Sequence, residues 1–218
     1  MSAVELIQGD CMDYLRELTD NAFELAIVDP PYNVGASDGN FGSRASCASY
    51  KDPKMHHYSN HDSTPGPEYF KQLFRVSQNQ IIWGSNYYPE NLHHSGAIVW
   101  DKLTTGPLSD CEIAFQSFSK LVTKFTSQWS GFKKGGETKN HKIRVHPNQK
   151  PVKLYKWLLT NYAKEGDRIL DTHLGSGSSA IAAHELGFDF VGIELDEDYF
   201  KVAQKRFKQM TAQKDLFR

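Results

Sequence analysis

An acid, two prolines and an aromatic ring follow one another at Asp29-Pro30-Pro31-Tyr32, directly after the apolar run LAIV. Residues of these types, locked side by side, can hold an aromatic amine. Proline fixes φ and lacks an N–H, so the pair is expected to turn the Pro30 carbonyl outward as a free acceptor beside the Asp29 carboxylate. An exocyclic –NH2 brings two donors to such a corner, and the Tyr32 ring supplies a flat face for stacking. With both amino hydrogens held, the nitrogen lone pair localises and can attack an electrophilic methyl in line. Catalysis of this kind comes from positioning and electrostatics. Asp29, Pro30, Pro31 and Tyr32 are the candidate catalytic group.

A second stretch, RILDTHLGSGSSAIAAHELGFDFVGIELDEDYF, has the pattern of a strand, a glycine loop, a helix and a second strand closed by an acid. Gly175 and Gly177 let the backbone approach a ligand closely. Glu194, about 20 residues beyond the loop, stands where an acid accepts the hydroxyls of a ribose. The pattern points to an adenosine-bearing cofactor. Ala180 fills the third fingerprint position, which a dinucleotide site permits. Asp171, just before the loop, would repel a pyrophosphate and would suit a cationic amino group. This favours S-adenosylmethionine over a nicotinamide dinucleotide. His56, His57 and His61 lie in a polar stretch without cysteine or a carboxylate set, and methyl transfer from a sulfonium needs no metal, so no metal site is expected.

The elements that must position these residues follow from periodicity. VELIQ reads as a strand and Cys11 to Leu18 as a short helix with Met12, Leu15 and Leu18 inward. LAIVD is a strand buried on both faces. Residues 36–67 are polar and aperiodic, the mark of a long functional loop. A helix over Glu68 to Ser77 leads into strand QIIWG, and GAIVWDK and CEIAFQSF are further strands. Residues 120–145 form a basic segment interleaved with aromatics, with a turn at Gly135-Gly136. YKWLLTNYA is helical, DRILDTH a strand, SSAIAAHELG a helix and FDFVGIELD a strand. A helix from Glu197 to about Met210 carries the stripe Phe200, Ala203, Phe207. Strands alternating with helices predict an α/β fold with a mostly parallel central sheet flanked by helices. One catalytic domain is expected over 1–218.

The chain has 218 residues, 39% hydrophobic and 23% charged, with formal net charge −1. These values fit a globular domain and give no bulk signal of a nucleic-acid binder, though they leave room for a local basic patch. No apolar run of membrane-spanning length occurs, so no membrane partner is expected. MSAVELIQGD has neither the basic start nor the apolar core of a secretory signal. Cys11, Cys47 and Cys111 are odd in number and far apart, which argues for a reducing compartment. The expected location is the cytoplasm.

The DPPY motif with a downstream D-x-x-x-G-S-G-S loop resembles the amino-group DNA methyltransferases, which methylate adenine N6 or cytosine N4 from S-adenosylmethionine. The catalytic motif precedes the cofactor loop, an order similar to that of the beta class, so the resemblance implies a Rossmann-like class I methyltransferase fold with circularly permuted motifs. It extends over nearly the whole chain. Trp83-Gly84-Ser85-Asn86 and Cys111-Glu112-Ile113-Ala114-Phe115 match the family's middle strands. By resemblance, Asp10 and Cys11 lie against the cofactor's adenine. His146, Asn148 and Lys150 lie by its methionine end. Asp29, Asp171, Thr172, His173, Gly175, Ser176, Gly177, Ser178, Glu194 and Leu195 complete the cofactor site. The family usually has Pro-Phe where Thr172-His173 stand, and its phenylalanine lines the cofactor pocket.

The resemblance also implies DNA as partner and eversion of the target base onto Tyr32. Residues 116–145 occupy the place of a short target-recognition segment. Lys124, Trp129, Lys133, Lys134, Lys139, Lys142 and Arg144 are the candidate DNA contacts, with Lys120 at its start. The plainer reading of that segment is a solvated basic hairpin with a small apolar face. An aspartate at the head of the motif is commoner in the adenine-N6 enzymes, so adenine N6 is expected, with cytosine N4 as the alternative. A catalytically inactive DNA-binding relative is the reading from another class. RNA and protein-amide methyltransferases share the fold, but carry N-P-P-Y. A homodimer and a cognate restriction endonuclease are partners that the family allows.

Overall fold

The computed structural model describes residues 2–32, 64–93, 96–104, 109–129, 145–146 and 148–212. Eight strands form one sheet: β1 (Val4–Gln8), β2 (Phe23–Val28), β3 (Ser77–Trp83), β4 (Ala97–Asp101), β5 (Cys111–Gln116), β6 (Val122–Thr126), β7 (Arg168–Asp171) and β8 (Asp189–Glu194). Their order is β1-β8-β7-β2-β3-β5-β4-β6. Only β5 runs against its neighbours, β3 and β4; every other pairing is parallel. The mostly parallel sheet expected from the sequence is present.

The helices are α1 (Cys11–Glu17), α2 (Pro67–Val76), α3 (Val152–Tyr162), α4 (Ser178–Leu186) and α5 (Glu197–Ala212). They cover both faces, which is why β2 is apolar at nearly every position. Leu25 and Ile27 pack with α3 and α4, while Ala26 and Val28 face Leu15 of α1 and Tyr69, Phe70 and Leu73 of α2. The alternation is that of a pleated strand buried on both sides. Asp10 caps α1, its side chain accepting from the Met12 N–H at 2.8 Å. Pro67 opens α2, where its missing N–H costs nothing. Helix α3 starts at Val152, three residues before the expected Tyr155. Gly187, at φ 82°, closes α4 in the left-handed conformation.

Chain direction locates the site. From β7 the path goes outward to β8, and from β2 it goes the opposite way to β3. The crevice between β7 and β2 is thus a topological switch point, where ligands of open α/β sheets bind at the carboxyl ends of the strands. The ends of β1, β2, β3, β4, β7 and β8 share that rim, and so does the start of the antiparallel β5.

One expectation changes here. The segment read as a basic loop or hairpin from Lys120 begins instead with strand β6, parallel to β4 at the sheet edge. Its VTKFT alternation is short, which hid it behind the surrounding lysines. Lys120 precedes β6 at the end of the sheet away from the rim. The polar stretch over 36–67 lies outside the described residues except 64–67, and so do His56, His57, His61 and Cys47.

Candidate functional site

A cavity of about 400 Å³ opens at the switch point and is walled by both motifs. Asp29, Pro30, Pro31 and Tyr32, leaving β2, form one side. Thr172, His173, Gly175 and Ser176, leaving β7, face them. Glu194 and Leu195 at the end of β8, Asp10 and Cys11 at the start of α1, and His146, Asn148 and Lys150 complete the wall. Fifteen of the expected catalytic and cofactor residues therefore meet in one space. Asp171, Gly177 and Ser178 do not line it. Asp171 and Ser178 are buried, and Gly177 is turned toward Ala203 of α5.

The Asp29–Tyr32 corner is more elaborate than its four residues. Asp29 Oδ2 accepts from Lys150 Nζ at 2.5 Å. Lys150 also lies 3.0 Å from Glu112, and Glu112 lies 2.6 Å from Lys102. Lys150 Nζ further stands 5.4 Å from the centre of the Trp83 ring, a cation–π contact. Asp29 Oδ1 is buried and has no hydrogen-bond partner among the described residues. A carboxylate oxygen out of water without a donor is costly, and such groups mark sites that wait for one. Burial pushes the Asp29 carboxyl up, against the pull of Lys150 and with the push of Glu112. Glu112 is held down at about 2, because Lys150 and Lys102 outweigh its own burial. Burial would lower Lys150, yet the two carboxylates raise it well above the ordinary range, so the proton stays on the lysine.

Pro30 does not offer a free carbonyl, as the sequence suggested. The Tyr88 hydroxyl stands 2.9 Å from the carbonyls of both Pro30 and Pro31 and shares its one proton between them. Each carbonyl oxygen has two lone pairs, so one remains at Pro30. Tyr88 is carried by the 3-10 turn Ser85–Tyr87 that follows β3. The same turn provides Tyr87, which stacks on Tyr32 at 4.4 Å and 4°. Gly84 stands at φ 68°, and a Cβ there would come within 2.6 Å of the Tyr32 ring. The Trp83-Gly84-Ser85-Asn86 stretch thus buttresses Tyr32.

The opposite side is held largely by backbone. Glu194 accepts from the Gly175 N–H at 2.8 Å and from the Asp196 N–H at 3.1 Å. Both oxygens keep lone pairs for a ligand. Asp171 accepts from Ser179 Oγ at 2.6 Å and from the His173 N–H at 3.0 Å. Its burial pushes the carboxyl up to about 7. Asp171 thus acts on the loop from behind and does not meet a cation in the cavity. Arg206 of α5, which sequence reading passed over, donates to the Ser176 carbonyl at 2.6 Å and to Ser178 Oγ at 2.9 Å. Its position three residues after Ala203 on the inward stripe was the available signal.

Thr172-His173 form a local polar chain. Thr172 Oγ1 lies 2.7 Å from the Tyr69 hydroxyl and 2.9 Å from His173 Nδ1, and the imidazole meets the Tyr69 ring edge-on. Loss of hydration pushes the imidazole down to about 4. At neutral pH His173 is therefore an uncharged flat ring on the cavity wall. His146 packs edge-on against Tyr199, with its Nδ1 accepting from the Asn148 N–H at 3.2 Å. Burial and Asp10 push the Cys11 thiol up to about 12, which leaves it unreactive.

Of the expected DNA contacts, Lys124 sits exposed on β6 and lies 3.4 Å from Asp101. Trp129 leans on the buried Trp100, ring centres 6.3 Å apart. Lys133, Lys134, Lys139, Lys142 and Arg144 lie outside the described residues. Among the described residues, no group of three or more His, Cys, Asp or Glu could hold a metal ion, and no helix is long and apolar enough to cross a membrane.

A family model described as DNA methylase matches residues 48–205. The type II methyltransferase M2.DpnII of Streptococcus pneumoniae is 28% identical over 147 residues, 67% of this chain and 48% of that protein. M2.MboI of Moraxella bovis is 22% identical over 241 residues, 94% of this chain and 88% of that protein. The chain spans about half the length of two of the curated relatives, M2.DpnII and M2.LlaDCHI. Among solved structures, the M1.HpyAVI–SAM complex superposes with a TM-score of 0.58 at 17% identity, covering 93% of this chain and 98% of that one. The cytosine-N4-specific PvuII DNA methyltransferase gives 0.59 at 13%, covering 97% and 91%. These two likenesses establish the α/β architecture.

Proposed function

The chain belongs to the DNA methylase family, and on that premise we propose that it transfers a methyl group from S-adenosylmethionine to the exocyclic amino group of an everted DNA base, adenine N6. The carrying observation is Asp29 Oδ1, a buried acceptor without a donor beside a cavity walled by a glycine loop. The residues fit the cofactor. Glu194 retains lone pairs for a ribose, His173 offers a neutral ring, and Gly175, at φ 51°, exposes the loop backbone. When bound, S-adenosylmethionine supplies an electrophilic methyl on a positively charged sulfur.

The protein's part is to place the nucleophile. Asp29 Oδ1 and the remaining Pro30 lone pair accept the two amino hydrogens. The base stacks on the Tyr32 ring. Held this way, the nitrogen would meet in line the methyl that the bound cofactor would supply. The nitrogen then passes one proton to the carboxylate that holds it. Adenine is favoured by the aspartate heading the motif, and cytosine presents the same amino group to the same acceptors.

The rest of the reading completes this picture. The chain is one catalytic domain whose basic segment 116–145 meets DNA phosphates. It works in the cytoplasm, beside a cognate restriction endonuclease and with a second copy of itself as assembly partner. The kinship with type II methyltransferases supports the restriction-modification setting. Incubation of the protein with duplex DNA and methyl-labelled cofactor, followed by nucleoside mass spectrometry, tests it. N6-methyladenine is expected, and N4-methylcytosine would move the assignment to the other base. No methylated nucleoside would refute the activity. Activity should also fall steeply with added salt.

A further inference from the structure

Lys150 was expected at the cofactor, yet its ammonium is spent elsewhere. It is buried, with 3% side-chain exposure, between Asp29 at 2.5 Å and Glu112 at 3.0 Å. Glu112 is in turn engaged by Lys102 at 2.6 Å. The four residues come from the end of β2, the end of β4, the start of β5 and the segment before α3. A chain of alternating charge drawn from four places along the sequence is expensive to bury, and replacing such groups with apolar ones is often neutral for stability. Its arrangement has a clear consequence at the cavity. One oxygen of Asp29 is taken and the other is left without a donor.

We propose that Lys150 and Glu112 are positioning residues for methyl transfer: Lys150 takes Oδ2 of Asp29 and so reserves Oδ1 for the target amino group, while Glu112, anchored by Lys102, shares the ammonium and keeps it from neutralising Asp29. This rests on the proposed function and names the residues that prepare its acceptor. A lysine paired with Asp29 alone would damp the carboxylate's power to accept. Without the lysine, a buried Asp29 would take up a proton and present a hydroxyl to a donor. Between two carboxylates, the lysine holds Asp29 ionised, and its three donors fix the rotamer. Lys102 adds the weakest pull on Asp29. Among the described residues, the other titratable groups acting on it are the hydroxyls of Tyr32 and Tyr155 and the Asp171 carboxyl, none of them positively charged.

The device can be read without substrate. Carbon-13 NMR of labelled aspartate side chains follows the protonation of Asp29 in the unaltered chain, Lys150→Met and Glu112→Gln. The midpoint should rise by about one pH unit or more in K150M, where the counter-charge is gone, and fall in E112Q, where a like charge is gone. Opposite shifts are a signature that a merely structural role would not produce. A midpoint unmoved in both, or moved the same way in both, would overturn the proposal. Should K150M fail to fold, E112Q decides alone: a fall sustains the proposal and no change overturns it. In methylation assays the acid limb of the rate should follow the same two directions. Absence of DNA methylation by the unaltered chain would refute the proposed function, whereas unmoved Asp29 midpoints in an active enzyme would refute this placement alone.

Discussion

The two walls of the cavity are built on different plans. The glycine-loop wall is local. Asp171, Gly175, Ser179 and Glu194 belong to one strand–helix–strand unit, tied together by hydrogen bonds to backbone amides and one serine. The wall proposed to be catalytic is assembled from afar. Asp29 depends on Lys150, 121 residues away in sequence, while Pro30 depends on Tyr88 and Tyr32 on Gly84 and Tyr87. A wall of backbone amides can recognise a ligand by shape. A wall of buried charges can set the protonation and direction of one oxygen. The first plan suits cofactor binding and the second suits chemistry.

Substitutions should separate the two walls. The largest effect is expected from Asp29→Ala, which removes the acceptor. Single-turnover methylation should fall by about 10²–10³-fold, while cofactor affinity measured by calorimetry stays nearly unchanged. An unaltered rate would take Asp29 out of the mechanism. Glu194→Ala should do the converse. Charged hydrogen bonds to two amides are lost, so cofactor affinity should weaken by about 10–100-fold, and the rate at saturating cofactor should change little. A rate loss matching that of the Asp29 variant would erase the division of labour.

A smaller effect should come from Gly84→Ala. Left-handed backbone costs a side-chain-bearing residue about 1–2 kcal/mol, and the new methyl would displace Tyr32. Stability by urea titration should drop by about that much, and DNA methylation should weaken while cofactor binding persists. The smallest effect is one of pH. His173 is held near 4 against an ordinary 6.5. Between those values the unfolded chain binds more protons than the folded one, so this residue withdraws stability as pH falls from 6.5 to 4. Asp171 is raised from 3.8 to about 7, so it withdraws stability as pH rises through that window. His173→Phe should therefore become more stable relative to the parent as pH drops from 6.5 to 4. Denaturant midpoints across that range check the sign.

The same contrast explains how much was legible in the sequence. The glycine-loop wall could be read almost residue by residue, because a βαβ unit carries its own spacing. Asp171, Gly177 and Ser178 lie deeper than expected, Asp171 because Ser179 and the His173 amide turn it inward. On the catalytic wall, Asp29 to Tyr32 stood out as a motif, but their supports did not. Lys102 and Glu112 look like ordinary strand-end charges until β4 and β5 are paired in register, Trp100 with Glu112 and Asp101 with Cys111. Tyr88 and Gly84 likewise acquire meaning only when β2 and β3 lie side by side. Strand β6 was missed because its five residues alternate too briefly among lysines. Periodicity reports local order, whereas buried ion pairs depend on contacts that no spacing encodes.

On the proposed function, both walls serve one reaction in one crevice. A crystal structure with S-adenosylmethionine and a cognate DNA duplex would show whether they do. The sulfonium methyl should lie between the Gly175 loop and an everted base whose amino group donates to Asp29 Oδ1. A cofactor bound with its methyl turned away from Asp29 and Tyr32, or a target base held elsewhere, would contradict it.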